Sequence, residues 1–418
     1  MKASKSLWGS LLLVPFLLTA CGEDDSGENG LDEEAESAGE RITIFQDKVE
    51  ISDQLEELAA EYTEETGVEV EVWGTTGSDY FQQLQVRLNS NQGPSIFSIQ
   101  QYTELERIHS YAYDMSDEDY VQYIAQDMEL EYEGNIYGVP YGLEGFGLVY
   151  NKDLVDPSEV TDYESFVQTL QRFEDEDING ISLADNSFFM IGHLSNYPFS
   201  LQDDNYEFVQ QLNNGEISLT DYEEFQELGL FMEAIRDYAP NPMEVSYDRQ
   251  IGDFATGQTA MIHQGNWAAP MFDDYELDFE IGMMPFPLSG NDKLAVGVAS
   301  SWVINNDKSD EEIQAANDFL EWMFTSERGH EYIVEEFEFV PALTNIEADN
   351  LDPLSQEVLD AANAEQTLPW SHIYYPANSV RNNLLPPTEE FFLDDSITPE
   401  EYIENLDEAW DVAAEEDE

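Results

Sequence analysis

Residues 251–272, IGDFATGQTAMIHQGNWAAPMF, carry one charge, Asp253, in a chain of which 25% is charged. Trp267 follows a short apolar run there, Ala260-Met261-Ile262, and its small neighbours Gly265 and Ala268 leave room for a flat molecule against the indole. On spacing alone an ordinary core tryptophan is the commoner outcome. Glu144 is the sole acid between Glu133 and Asp153, which makes it a candidate acceptor for hydroxyl groups. Lys48 is one of six lysines and falls in a loop just after a strand; its plainer reading is a surface charge paired with Glu50. Trp302, Tyr141, Trp370 and Tyr375 stand in three further charge-poor stretches, and for Trp302 a buried position is equally compatible. Aromatic planes with isolated polar donors and acceptors suit reversible capture of a hydroxyl-rich ligand. Bond-making chemistry has no comparable support: H-E-x-x-H and G-x-S-x-G are absent, and the five histidines are scattered. With 91 acidic residues, carboxylate pairs are inevitable and carry no information about hydrolysis.

These residues need elements to hold them. Ile42–Phe45 reads as a strand, and 52–65 as a helix capped by Ser52, with Leu55, Leu58, Ala59 and Tyr62 on one face. Val68–Trp73 is the next strand, so the chain opens with a βαβ unit. Ligands of open α/β sheets sit at the carboxyl ends of parallel strands, which nominates Gln46, Asp47 and Lys48. Asp79 either caps the helix 79–89 or faces the cleft, the cap being the safer reading, and 94–101 reads as a strand ending in Gln100-Gln101. Asp175-x-Asp177-x-Asn179-Gly180 imitates a calcium loop, but position twelve is Asn186 and not glutamate, so it reads as a turn. Gly257 ends the helix before the Ala260 strand.

The pattern F-x-x-G-x-x-A-M-x-x-x-G-x-W, met by Phe254, Gly257, Ala260, Met261, Gly265 and Trp267, resembles the extracellular solute-binding proteins of ABC transporters, the maltose-binding-like family. GNIYGVPYGLEGFGLVYNK at 134–152 resembles the first interlobe crossing of that family, LAVGVASSWVINN at 294–306 the second, and Phe339-Val340-Pro341-Ala342 the third. The resemblance implies an α/β, two-lobe periplasmic-binding-protein fold, each lobe a mostly parallel sheet flanked by helices. The first lobe would comprise 41–148 and 300–342, the second 149–299 and 343–418. It implies a sugar site drawn from Gln46, Lys48, Asp79, Gln100, Tyr141, Glu144, Trp267, Trp302, Trp370 and Tyr375. Tyr374, Tyr375 and Trp370 compete for the stacking position that precedes Arg381. No cofactor, metal or catalytic residue is implied; the partners are a small oligosaccharide and the permease subunits of an importer, and the receptor is a monomer. The alternatives are a secreted glycoside hydrolase and a passive polysaccharide-binding surface lipoprotein.

Composition sets the surroundings. Acidic residues number 91 against 14 basic ones, a formal net charge of −77. That balance excludes nucleic acid as a partner, because phosphate neutralisation needs a basic surface. Aromatics at 12% and hydrophobics at 42% still provide for a packed core, so the charge describes a strongly hydrated surface suited to brine. Lys2 and Lys5 precede an apolar run, Leu7–Leu18, and Leu18-Thr19-Ala20-Cys21 resembles a lipobox. Residues 1–20 thus read as a lipoprotein signal and Cys21, the single cysteine, as the lipid attachment site. Residues 21–40 read as an acidic tether that holds the receptor on the extracellular face of the membrane.

Overall fold

The computed structural model describes residues 41–48, 51–74, 80–100, 102–125, 128–272, 275–348 and 350–417. Two mixed sheets lie in it. The first follows the order β2-β1-β3-β11-β5-β4, built from β1 (Arg41–Gln46), β2 (Glu69–Gly74), β3 (Ile96–Ile99), β4 (Leu130–Tyr132), β5 (Asn135–Pro140) and β11 (Ser301–Ile304). The second follows β12-β10-β6-β8-β7, built from β6 (Leu143–Asn151), β7 (Asn179–Ser182), β8 (Thr259–Gly265), β10 (Leu294–Val298) and β12 (Thr367–Leu368). A further strand, β9 (Ile281–Met284), continues along β6 beyond β10.

The sheets are mixed where mostly parallel ones were expected. Strands linked by a crossover helix pair parallel, as β1 does with β2 and β3. Strands entering from the other sheet run the opposite way, so β11 is antiparallel to both β3 and β5. Two short links carry the chain between sheets: Tyr141-Gly142 between β5 and β6, and Ala299-Ser300 between β10 and β11. Residues 340–344 run along the hinge, where Leu143 N donates to Val340 O at 2.7 Å and Thr344 N to Tyr123 O at 2.7 Å. Only then does the chain reach the helix Pro353–Asn363 of the second layer.

Helix burial follows sequence periodicity closely. In Ser52–Thr66 the buried residues are Leu55, Leu58, Ala59 and Tyr62, one stripe at helical spacing. Ser52 is not its cap: the N-cap position is Ile51, without a side-chain bond, and Ser52 Oγ accepts from Gln46 Nε2 at 3.3 Å. Asp162 closes a capping box with Ser165 at the start of Tyr163–Asp175. Asp177 lies at φ 60° in the turn before β7, and Gly257 at φ 73° follows the helix Tyr247–Ala255. One apolar cluster runs through the hinge, joining Ile42 and Ile44 of β1 to Tyr141, Trp302 and Phe339 and on to Val149 and Val358. A second cluster lies beneath the other face of the second sheet, around Phe146, Leu148, Phe231 and Trp410.

Candidate ligand-binding cleft

Successive residues of a strand face opposite sides, so β6 turns Glu144 and Phe146 the same way. Phe146 is fully buried, with aromatic rings gathered around it. His193 stacks on it at 4.2 Å between ring centroids, and Trp370 and Trp267 stand at 5.6 and 6.3 Å. Trp267 is half-buried on the single helical turn Asn266–Ala268, directly after β8. Three amides lock its orientation. Its Nε1 donates to Gln264 Oε1 at 2.8 Å, Gln264 Nε2 to Gln250 Oε1 at 2.7 Å, and Gln250 Nε2 to Ser182 O at 2.7 Å. Gln264 and Gln250 are fully buried, so this chain of dipoles has no competing water. A Cβ on Gly265 would come within 2.3 Å of the indole, so the glycine makes room for Trp267 itself and not for a ligand. The ring of Phe189 lies parallel to it, within 6° at 6.3 Å.

Glu144 on β6 of the second sheet and Lys48 just after β1 of the first meet between the two sheets. The Lys48 ammonium donates to Glu144 Oε1, both residues are less than a tenth exposed, and Nζ stands 5.6 Å over the Phe339 ring. Beside them Asp47 accepts from Ser98 Oγ at 2.6 Å and from Gln100 Nε2. Farther along, a cleft of about 850 Å³ opens between the sheets, lined by Gln100 and Tyr102 on one side and by Tyr206, Trp370 and Tyr374 on the other. Tyr102 meets Tyr206 at 6.1 Å and Tyr374 at 5.9 Å, both edge-on. Burial, followed by the neighbouring acidic and phenolic groups, pushes the Tyr102 hydroxyl up to about 12, so it stays a donor at neutral pH. The arrangement offers flat faces, neutral amides and one ion pair, and can hold a hydroxyl-rich molecule between two lobes.

Residues 57–363 match the family of bacterial extracellular solute-binding proteins. The chain belongs to that family. Among curated relatives, the maltooligosaccharide ABC transporter solute-binding lipoprotein of Streptococcus pneumoniae strain R6 is 24% identical over 409 residues, covering 90% of this chain and 91% of that protein. Among solved structures, the solute-binding protein RafE in complex with raffinose superimposes with a TM-score of 0.74 at 18% identity, covering 90% of this chain and 99% of that one. A sugar transporter of Bacillus licheniformis in complex with stachyose gives a TM-score of 0.68 at 19% identity, covering 89% and 100%.

Within this solute-binding fold the residues nominated by sequence fall into three groups. Lys48 and Glu144 pair, with Gln46 buried beside them at the end of β1 and bonded to Ser52. Trp267 packs beside the buried Phe146 ring, while Gln100 and Trp370 line the open cleft, Trp370 packed against Gly297. Three expectations are corrected. Trp302 is fully buried, with its rings against Tyr141 at 5.1 Å and Phe319 at 6.2 Å, because it sits inside β11 and pairs with Ser98 and Val139. Tyr141, 1% exposed, is wedged between Trp302 and Phe339 and presents no open face. Tyr375, also 1% exposed, is packed against Phe199 and Trp410 at 4.8 Å each, so Tyr374 is the tyrosine of that pair that reaches the cleft. Asp79 and Cys21 lie outside the described residues. Sequence reading missed Tyr102, Tyr206 and the two glutamines behind Trp267. An uncharged Gln264 one residue before the end of β8 was the one available signal.

Proposed function

We propose that this chain is a lipid-anchored extracellular receptor that captures an oligosaccharide between its lobes and delivers it to an ABC importer, acting as a monomer and without catalysis. The observation that carries the reading is the indole of Trp267, held by buried amides, together with a Lys48–Glu144 pair between the two sheets, in a member of the solute-binding family. Sugars present apolar C–H faces and many hydroxyls, which these groups match. The names of the relatives, a maltooligosaccharide lipoprotein and a raffinose complex, support an α-linked oligosaccharide. Glu144 is bound to an ammonium, which suits a hydrogen-bonding role better than that of a raised-pKa acid. Titration calorimetry with maltotriose, raffinose and stachyose, with product analysis of the same samples, tests this. Stoichiometric binding without turnover is expected. Turnover would replace the receptor by a glycoside hydrolase, and absence of any binding would leave a passive surface lipoprotein.

Two expected outcomes concern the surroundings of the site. Cys21→Ala removes the thiol that would carry the lipid, so the variant is expected in the medium or as unprocessed precursor, with sugar affinity unchanged. Fractionation and mass spectrometry of the N-terminus check this; a processed variant that stays on the membrane would refute the anchor. Salt acts on the whole surface. Removal of residues 1–20 takes Lys2 and Lys5 but no acid, leaving 12 basic side chains against 91 acidic, a net −79. Self-repulsion at that charge weakens as the screening length falls from about 10 Å at 0.1 M salt to about 3 Å at 1 M. The melting temperature should therefore rise over that range, and a flat profile would remove the case for a brine-adapted surface.

A further inference from the structure

Three of the five histidines of the chain gather around the Phe146 ring: His193 at 4.2 Å, His263 at 6.0 Å and His372 at 6.2 Å between centroids. Among the described residues they form no group able to hold a metal ion, so their polar atoms call for another account. His263 Nδ1 lies 3.0 Å from Gly147 O. A carbonyl only accepts, so the proton is on Nδ1 and His263 Nε2 is bare. That bare nitrogen lies 3.1 Å from His193 Nδ1, which must therefore be the donor. His193 Nε2, across the ring, is then an acceptor, and no described residue bonds it. Burial holds all three rings neutral, moving His263 down to about 4 and His372 down to about 3, and His193 well below its ordinary value. His193 keeps 7% of its surface open and its ring lies 5.3 Å from that of Trp267.

We propose that His193 Nε2 is a fixed hydrogen-bond acceptor that receives a hydroxyl of the saccharide stacked on Trp267, and that His263 is the positioning residue that sets its tautomer. The assignment rests on the receptor reading above. A neutral acceptor has a particular use in a chain this acidic: unlike a carboxylate, it does not recruit the cations of a salty medium, so it reads hydroxyls without competition from them. Trp370 Nε1 is a buried donor for which no partner exists among the described residues, and its ring lies 5.0 Å from that of His372 between centroids.

Side-chain nitrogen NMR of histidine-labelled protein tests the tautomer directly. His193 and His263 are expected to carry the proton on Nδ1 without ligand, and the bare His193 nitrogen should move upfield on saturation with maltotriose or raffinose. A proton on His193 Nε2, or a resonance unmoved by a sugar that calorimetry shows to bind, would overturn the proposal. In parallel, His193→Phe keeps the stack on Phe146 and removes the acceptor, and should weaken sugar binding roughly 10-fold. His263→Phe should weaken it less while moving the His193 proton between nitrogens, a change that a purely structural histidine would not produce. Unaltered affinity in His193→Phe overturns this assignment alone. A wild type that binds no sugar overturns the receptor reading and the assignment with it, whatever the tautomer.

Discussion

Trp267→Ala is expected to lower oligosaccharide affinity roughly 30-fold to 1,000-fold, the range of about 2–4 kcal/mol lost when a central aromatic anchor is truncated. The size follows from the setting of the ring. Its edge is fixed by the bond to Gln264, and Phe189 and His193 flank it, so it stands preorganised and its rotamer entropy is already spent before the ligand arrives. The cost to folding is smaller. Truncation leaves Gln264 Oε1 buried without a donor, which costs about 1–3 kcal/mol, below the about 3–5 kcal/mol typical of a core tryptophan. Calorimetry and thermal unfolding on the one variant separate these effects. A protein that melts far below wild type yet still binds sugar at low temperature would make Trp267 structural and move the platform to Trp370.

Much of the architecture could be read from the sequence, because its signals are local. The stripe Leu55, Leu58, Ala59 and Tyr62 fixed a helix, and the apolar run after Gly257 a strand. Glu144 stood out because an acidic chain had left one carboxylate in an uncharged stretch, and the structure gives it a buried partner. That partner is Lys48, 96 residues away, whereas local spacing had offered Glu50, which lies outside the described residues. The hairpin β4–β5 was overlooked although its signal was present: Glu133 and Gly134 both have positive φ, at 50° and 86°, as a two-residue turn requires.

What could not be read is which side of a surface each aromatic faces. Trp267 and Trp302 both belong to charge-poor, strand-bearing stretches. They differ because Trp267 comes two residues after β8 ends, whereas Trp302 is the second residue of β11 and has neighbours on both edges. A strand boundary moved by three residues exchanges their roles, and no local pattern sets boundaries that finely. Gly265 illustrates the same limit: its missing Cβ promises space, but only the fold decides that the indole fills it. The histidine relay joins positions 70 apart and is invisible to spacing.

Trp302→Ala should therefore behave as the converse of Trp267→Ala. The ring is fully buried at the hinge, where it packs on Tyr141, Phe319 and Phe324. Removing it opens a cavity costing about 3–5 kcal/mol. With about 2.1 cal/mol/K of unfolding entropy per residue, that corresponds to about 3–6 °C of melting temperature in a chain of this length. Its Nε1 has no hydrogen-bond partner among the described residues, so Trp302→Phe loses packing volume but no polar contact and should cost less than Trp302→Ala. Sugar affinity measured well below the transition should stay within about threefold of wild type in both variants, since the ring faces no part of the cleft. Circular dichroism melts and calorimetry on the pair decide the matter. Affinity lost in Trp302→Ala at an unchanged melting temperature would return Trp302 to the binding surface, and would require the lobes to open along β11 before the sugar enters.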